Sequence, residues 1–239
     1  MRWMFGWVLG VAVCGSVDAA LVPITRFSVI DMSLTAGTQS RSGHREETTF
    51  ADFDQIVIDS ASVPGSSASA NASQRSSVAN ASGGFTVSGG TATATIAATA
   101  SGLSHFTSQF STDITGIHRF SGAIGRTGTG QVTAYLRDLS SPADVFLLRR
   151  EVNPTNNDPG ETWIEDFNLS TGHTYELFVE ARAGGTTIGS LDGTTSYTIL
   201  LNPVPEPTSP AILGTALMAL LARRGRKPEA TGLCHPEKL

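Results

Sequence analysis

The chain has 239 residues and a formal net charge of −5, with charged side chains making up only 15% of it, which argues against a basic nucleic-acid-binding surface. Apolar residues at 40% are too few for a polytopic membrane protein and too many for a wholly disordered chain. The length fits one domain of about 150 to 250 residues plus targeting segments.

At the N-terminus, Arg2 is followed by an apolar run from Trp3 to Val13 and then by small residues. That is the three-part pattern of a secretory signal peptide over residues 1–19. The run is short for a membrane span, which needs about 20 apolar residues. Val17-Asp18-Ala19 sets a cleavage point between Ala19 and Ala20. The alternative, a lipoprotein acylated at Cys14, has bulky Val13 directly before the cysteine. Export implies passage through a secretion translocon.

Beyond Ala20 the apolar residues are sparse as far as Glu47, and Ser42-Gly43-His44-Arg45-Glu46-Glu47 reads as an exposed loop. Phe53–Ile58 is the first strand, with imperfect alternation. Ser60–Ser82 is dominated by Ser and Ala around Pro64-Gly65 and reads as a long loop or linker, because it offers little surface to bury. Then Ala92, Ala94, Ile96, Ala98 and Ala100 alternate with Thr91, Thr93, Thr95 and Thr99. This is a half-buried strand whose small side chains imply a thin, closely packed interface. Further strands are expected at Ile117–Ile124, Gln131–Leu139 and Asp144–Glu151, with a loop over Asn153–Gly160. Trp163–Leu169 and Thr174–Ala181 flank a turn at Ser170-Thr171-Gly172-His173, and Thr195–Leu201 is the last strand.

The tail opens with Asn202-Pro203-Val204-Pro205-Glu206-Pro207. Prolines at 203, 205, 207 and 210 hold the backbone extended and remove amide donors. The stretch within Thr208 to Ala222, apolar from Ala211, reads as an apolar helix of about 12 to 15 residues, roughly 20 Å long, with Ile212 to Ala222 as its membrane segment, and Arg223, Arg224, Arg226 and Lys227 would hold the cytoplasmic side. The alternative is a plain linker followed by a core helix, against which the all-round apolar character speaks. A Val-Pro-Glu-Pro motif, an apolar helix and a basic cluster in this order resemble the PEP-CTERM sorting domain of exported bacterial proteins. The resemblance implies that Val204, Pro205, Glu206 and Pro207 are recognised by an exosortase-type membrane protease-transpeptidase, with transient inner-membrane insertion and a retention cluster at Arg223–Lys227. Twelve further residues, Pro228–Leu239, follow, where the family usually ends sooner. A permanent membrane anchor is therefore the other reading of this tail.

Cys14 and Cys234 both lie in these end segments, so the body between them can form neither a disulfide nor a thiolate metal site. From Ala20 to Asn202 there are ten arginines, no lysine and seventeen carboxylates, a net charge of −7.

The strands and turns predict an all-β body, an antiparallel sandwich or jelly roll, between an N-terminal signal helix and the C-terminal apolar helix. An open β-barrel is the runner-up. The expected divisions are 1–19 signal peptide, 20–83 N-terminal strand and Ser/Ala-rich loop, 84–202 sandwich body forming one domain with 48–60, 203–227 sorting signal, and 228–239 cytoplasmic tail. Leu169–Leu177 and the surrounding segment from Gly84 to Leu201 also look like the β-sandwich bodies common among PEP-CTERM proteins.

No G-x-S-x-G or H-E-x-x-H pattern occurs, so no motif for covalent or zinc-assisted catalysis is present. His44, His105, His118 and His173 are widely separated, and Gly125–Gly130 lacks the G-K-[ST] of a phosphate cradle. Asn156-Asn157-Asp158-Pro159-Gly160-Glu161, with Asp166 nearby, is oxygen-rich enough for Ca²⁺ but also suits a solvated turn. Asp52, Asp54 and Asp59 bear the same two readings. Trp163, at a strand start after this loop, is the candidate sugar platform, whereas Tyr175 and Tyr197 have aliphatic neighbours and read as core. The expectation is a non-enzymatic protein of the cell surface or extracellular space, without cofactor. By resemblance it associates with extracellular polysaccharide or biofilm matrix of a Gram-negative-type bacterium. A carbohydrate-binding module or carbohydrate-active enzyme is the alternative, the enzyme requiring two carboxylates about 5 to 10 Å apart.

Overall fold

The computed structural model describes residues 20–91, 98–140, 145–156, 158–187 and 190–204. The predicted signal peptide, the predicted apolar tail helix, Pro205–Pro207, the Arg223–Lys227 cluster and the Ala92, Ala94 and Ile96 face of the predicted strand lie outside the described residues.

Twelve strands occupy the described residues: β1 Leu21–Ala36, β2 Gln39–Glu47, β3 Phe53–Val63, β4 Ser66–Ser76, β5 Asn80–Thr91, β6 Ala98–Thr112, β7 Gly116–Gly128, β8 Gln131–Asp138, β9 Val145–Val152, β10 Gly160–Leu169, β11 Tyr175–Thr187 and β12 Ser190–Pro203. One short 3₁₀ turn, Pro154–Asn156, lies in the predicted loop between β9 and β10. All pairings are antiparallel, in two six-stranded sheets ordered β2-β1-β6-β11-β8-β9 (sheet A) and β10-β7-β12-β5-β4-β3 (sheet B). The sheets face each other strand over strand, β2 against β3, β1 against β4, β6 against β5 and β11 against β12.

Two apolar clusters fill the space between the sheets. The larger contains Phe106, Phe110, Phe120, Trp163, Tyr175, Leu177, Tyr197 and Leu201, among others. The smaller joins Ile30, Met32 and Leu34 to a set of alanines that includes Ala61, Ala68, Ala70, Ala72, Ala98 and Ala100. A polar seam separates them. On β1 it holds Arg26 and Ser28, on β4 Gln74 and Ser76, and on β6 Ser104, all buried. The Ser28 and Ser76 hydroxyls lie 2.9 Å apart, and Ser104 Oγ is 2.8 Å from the Tyr197 phenol. With the Gln74 amide assigned the orientation that its neighbours satisfy, its nitrogen donates to the carbonyls of His105 and Val29 at 3.0 and 3.1 Å. Arg26 joins the seam through Nη2, which donates to the Ser76 carbonyl and hydroxyl at 2.8 and 2.9 Å, so each of these residues has at least one partner.

Two sequence expectations are corrected here. The segment from Ala20 to Glu47 is not a sparse stretch ending in a loop but the long β1 and the edge strand β2. Ile30, Met32, Leu34 and Ala36 do alternate inward, but the seam residues Arg26 and Ser28 break the apolar period before it is established. Likewise Ser60–Ser82 is not a loop: it holds the end of β3, all of β4 and the start of β5. Gly65, at φ 80°, makes the β3–β4 turn after Pro64. Ala68, Ala70 and Ala72 point inward and the intervening serines and Asn71 outward. At this end the layers are so close that a methyl group fills the gap, and a Cβ added to Gly43 would collide with Val57. Small side chains are what a thin interface needs.

Candidate functional site

The end of β12 carries the first functional element. This strand runs between β5 and β7, and its ladder with β7 ends at Pro203 opposite His118. Val204 N–H then donates to the Ile117 carbonyl at 2.8 Å. Val204, the one residue of the predicted sorting motif that is described, is therefore still attached to the sheet. At the same end of the body, beside the β6–β7 connection, Ala20 N–H donates to Asp113 Oδ1 at 2.7 Å, so the residue predicted to follow signal cleavage is fixed beside a carboxylate.

The second element is the outward face of sheet A. Strand parity sends Tyr175, Leu177, Val179 and Ala181 of β11 inward, and Glu176, Phe178, Glu180 and Arg182 to the opposite face. Across neighbouring strands Phe178 is level with Thr107 and Tyr135, and Glu180 with His105 and Thr133. The result is a row of rings crossing five strands: Phe27, His105, Phe178, Tyr135 and Phe146, with successive centroids 5.5, 4.9, 4.4 and 5.2 Å apart. Tyr135 and Phe178 are parallel within 5°. Rings lying flat on adjacent strands cannot come to that distance, so this pair stands upright and stacks face to face. Phe146, on edge strand β9, is 46% exposed, and Arg149 lies 5.9 Å from its centroid.

Two glutamates anchor this face. Glu176 Oε1 accepts from the Tyr135 phenol at 2.8 Å and from Arg137 Nε at 2.9 Å, and Gln109 reaches Oε2 at 3.3 Å. Burial and this carboxylate together hold the Tyr135 phenol above its usual range, so it remains a donor beyond the pH at which a free phenol ionises. Glu180 pairs with Arg182, whose Nη2 donates to Oε2 at 2.8 Å, and lies 3.2 Å from His105 Nδ1. Four residues apart on one strand face, Glu176 and Glu180 have Cα atoms about 13 Å apart at roughly 3.3 Å per residue. Both carboxylates are engaged by arginines. A shallow depression lined by Asp31, Ser33, Ser101, Leu103 and Arg182 continues the face towards β1.

Burial raises the Glu180 pKa, but the hydrogen bonds from His105 and Arg182 outweigh it, leaving the carboxyl below its ordinary value. A carboxylate lowered in the folded state contributes stability that is present above its unfolded pKa and lost as pH falls through the folded one. Urea unfolding across a pH series is thus expected to show wild type losing stability between about pH 5 and 3 more steeply than Glu180→Gln. Parallel acid limbs would remove Glu180 from that account.

The structure disperses the residues singled out in the sequence. Trp163 is 6% exposed and points into the core, edge-on to Phe120 at 5.6 Å, so it is no sugar platform. Tyr175 and Tyr197 are core residues. His118 is buried with Nδ1 3.1 Å from the Gly116 carbonyl, and His173 lies 2.7 Å from Asp138. Of the oxygen-rich loop, Asp158 accepts from Gly160 N–H at 3.1 Å, Glu161 faces Arg150 at 3.1 Å, and Asp166 faces Arg119 at 2.8 Å. Asp54 pairs with Arg75, and Asp59 accepts from Ser60 N–H. Among the described residues no three His, Cys, Asp or Glu side chains converge as a metal site. The ring row escaped sequence reading, although Phe178 amid Glu176, Glu180 and Arg182 is the signal of an aromatic residue on a polar face.

The chain matches the PEP-CTERM protein-sorting motif over residues 203–227, so it carries that sorting signal directly after its last strand. No curated protein matches it. Among solved structures it is similar to the enzymatically active domain of tailspike protein 4 from bacteriophage CBA120, at 10% identity and a TM-score of 0.26, over 62% of this chain and 19% of that one. A score at that level identifies no fold.

Proposed function

We propose that this is a non-enzymatic exported protein, delivered to the cell surface or extracellular space through its C-terminal signal and associated there with extracellular polysaccharide or biofilm matrix. The sorting motif at residues 203–227 carries this reading. Export begins with the signal peptide and the translocon, and the apolar tail helix holds the chain transiently in the inner membrane. An exosortase-type enzyme then recognises Val204–Pro207. The body is an extended jelly roll. Strands β5 to β12 give the order 5-12-7-10 facing 6-11-8-9, in which β8 and β9 are the consecutive pair that stays in one layer. That is jelly-roll connectivity, widened by β1 and β2 on one layer and β3 and β4 on the other. Engagement of Glu176 and Glu180 by arginines favours a binding or scaffolding body over a hydrolase.

A second reading, a carbohydrate-binding module, is favoured by the ring row with its polar flanks on sheet A. It ranks behind the first because the upright Tyr135–Phe178 stack turns ring edges, not faces, to solvent.

Intact mass with both termini mapped, on protein recovered from the extracellular fraction of its host, tests the proposal. The expected chain starts at Ala20 and ends within residues 203–207. Recovery from membranes alone, with Cys234 retained, would make it a permanently anchored protein.

A further inference from the structure

We propose that the free edge of β3 is a contact for a second copy of this chain, the two β3 strands pairing antiparallel about Val57. Among the described residues β3 ends sheet B, with β4 as its single neighbour. Its outward face carries Ile56 and Ile58, 55% and 66% exposed, on a strand without proline or lysine, the profile of an unprotected edge.

The other edges are guarded. Strand β2 carries Arg41, His44, Arg45, Glu46 and Glu47. At the far end of the body, Arg150 of β9 ties to Glu161 and Glu165 of β10 at 3.1 and 3.0 Å. Even β3 is partly protected, since the Ser60 and Ser62 amides are taken by Asp59 Oδ1 and Gln39 Oε1 at 2.7 and 3.3 Å. Alternation puts the backbone groups of Asp54, Ile56 and Ile58 on that same outer edge, and there the cover stops.

The open part is self-complementary. About a two-fold axis at Val57, Ile56 meets the copy's Ile58 and Ile58 meets its Ile56, a favourable cross-strand pair. Asp54 falls opposite serine at 60 and Gln55 opposite aspartate at 59, so no like charges face each other. Asp54 keeps its ion pair with Arg75, on β4. A contact of this length buries less than about 1,000 Å². The association is therefore weak in dilute solution and populated where copies are crowded.

The test uses the full chain in mild detergent, with Cys14 and Cys234 changed to serine. Sedimentation equilibrium is expected to show concentration-dependent dimers, weakened about tenfold or more by Ile58→Lys and unchanged by Ile164→Lys, whose site is 72% exposed on the opposite edge strand β10. In parallel, chains carrying Ile56→Cys are mixed with chains carrying Ile58→Cys. A hydrogen-bonded pair sets those Cα atoms about 5.5 Å apart, within disulfide reach, whereas 56 to 56 is a diagonal of about 7 to 8 Å. Mild oxidation should thus give mixed disulfide dimers and few from either chain alone. A monomer at all concentrations, equal weakening by Ile164→Lys, or cross-linking of the Ile56→Cys chain by itself would overturn the proposal.

Discussion

Replacing Arg26 with methionine is expected to lower the unfolding free energy by about 3 kcal/mol. The side chain is 3% exposed, yet among the described residues no carboxylate forms an ion pair with it. Its Nη2 donates to the carbonyl and hydroxyl of Ser76 at 2.8 and 2.9 Å, and its Nη1 to the carbonyls of Ala51 and, at 3.4 Å, Thr49. One guanidinium thus pins the β2–β3 connection to the end of β4 and closes the seam between the two clusters. Burial lowers its pKa, with the charges of Asp52 and Glu47 working against that shift. Methionine fills the volume and relieves the cost of burying a cation, but it strands several carbonyl groups. Hydrogen bonds from a charged donor are worth about 1.5 to 3 kcal/mol each, so the loss wins. Urea unfolding of the full chain measures this, and a change within about 0.5 kcal/mol would mean the connection is held by other contacts.

Trp163→Ala should cost about 4 kcal/mol, as truncation of a buried aromatic residue does. The indole closes the end of the larger cluster, packed on Phe120 and over Gly122. The partner site gives the complementary result. A Cβ at position 122 would collide with the indole and lie 2.8 Å from the Thr198 carbonyl oxygen, so Gly122→Ala should cost about 2 kcal/mol through overpacking. Combining the two changes separates the causes. The indole collision vanishes in the double variant while the carbonyl collision persists, so the alanine at 122 should cost less than before but not nothing. Were Trp163 a ligand platform instead, its replacement would leave thermal unfolding unchanged and reduce binding alone.

The two ends of the body differ in how plainly the sequence displays them. Around Val132, Ala134 and Leu136, or Tyr175, Leu177 and Val179, large inward residues alternate with polar ones, and these strands are legible. The alternation in β4 is as regular, but its inward members are Ala68, Ala70, Ala72, Gln74 and Ser76, which bury little surface each and look like linker until a second sheet is known to lie within methyl reach. Strand β2 offers even less, because nearly all of it faces solvent. The layer order was beyond reach for another reason: β12 pairs with β5, as in Ile199 with Ala81, across more than a hundred residues. The inward place of Trp163, by contrast, is legible from local parity. Parity within β10 sets it with Phe167 and Leu169, and Ile164 outside. The C-terminal signal was legible because its three parts are local and chemically unlike, whereas the ring row becomes a feature only when five strands are in register.

The hold on Val204 gives the tail a mechanical meaning. Strand β12 is not an edge but an interior strand, with ladders to β5 on one side and to β7 on the other. If the tail is held in a membrane as proposed, tension on it would enter the described fold at Val204 along the axis of β12 and load both ladders in shear, many hydrogen bonds at once, instead of peeling them one by one. On the proposed function, a sorting cut after Val204 would leave both ladders of β12 intact.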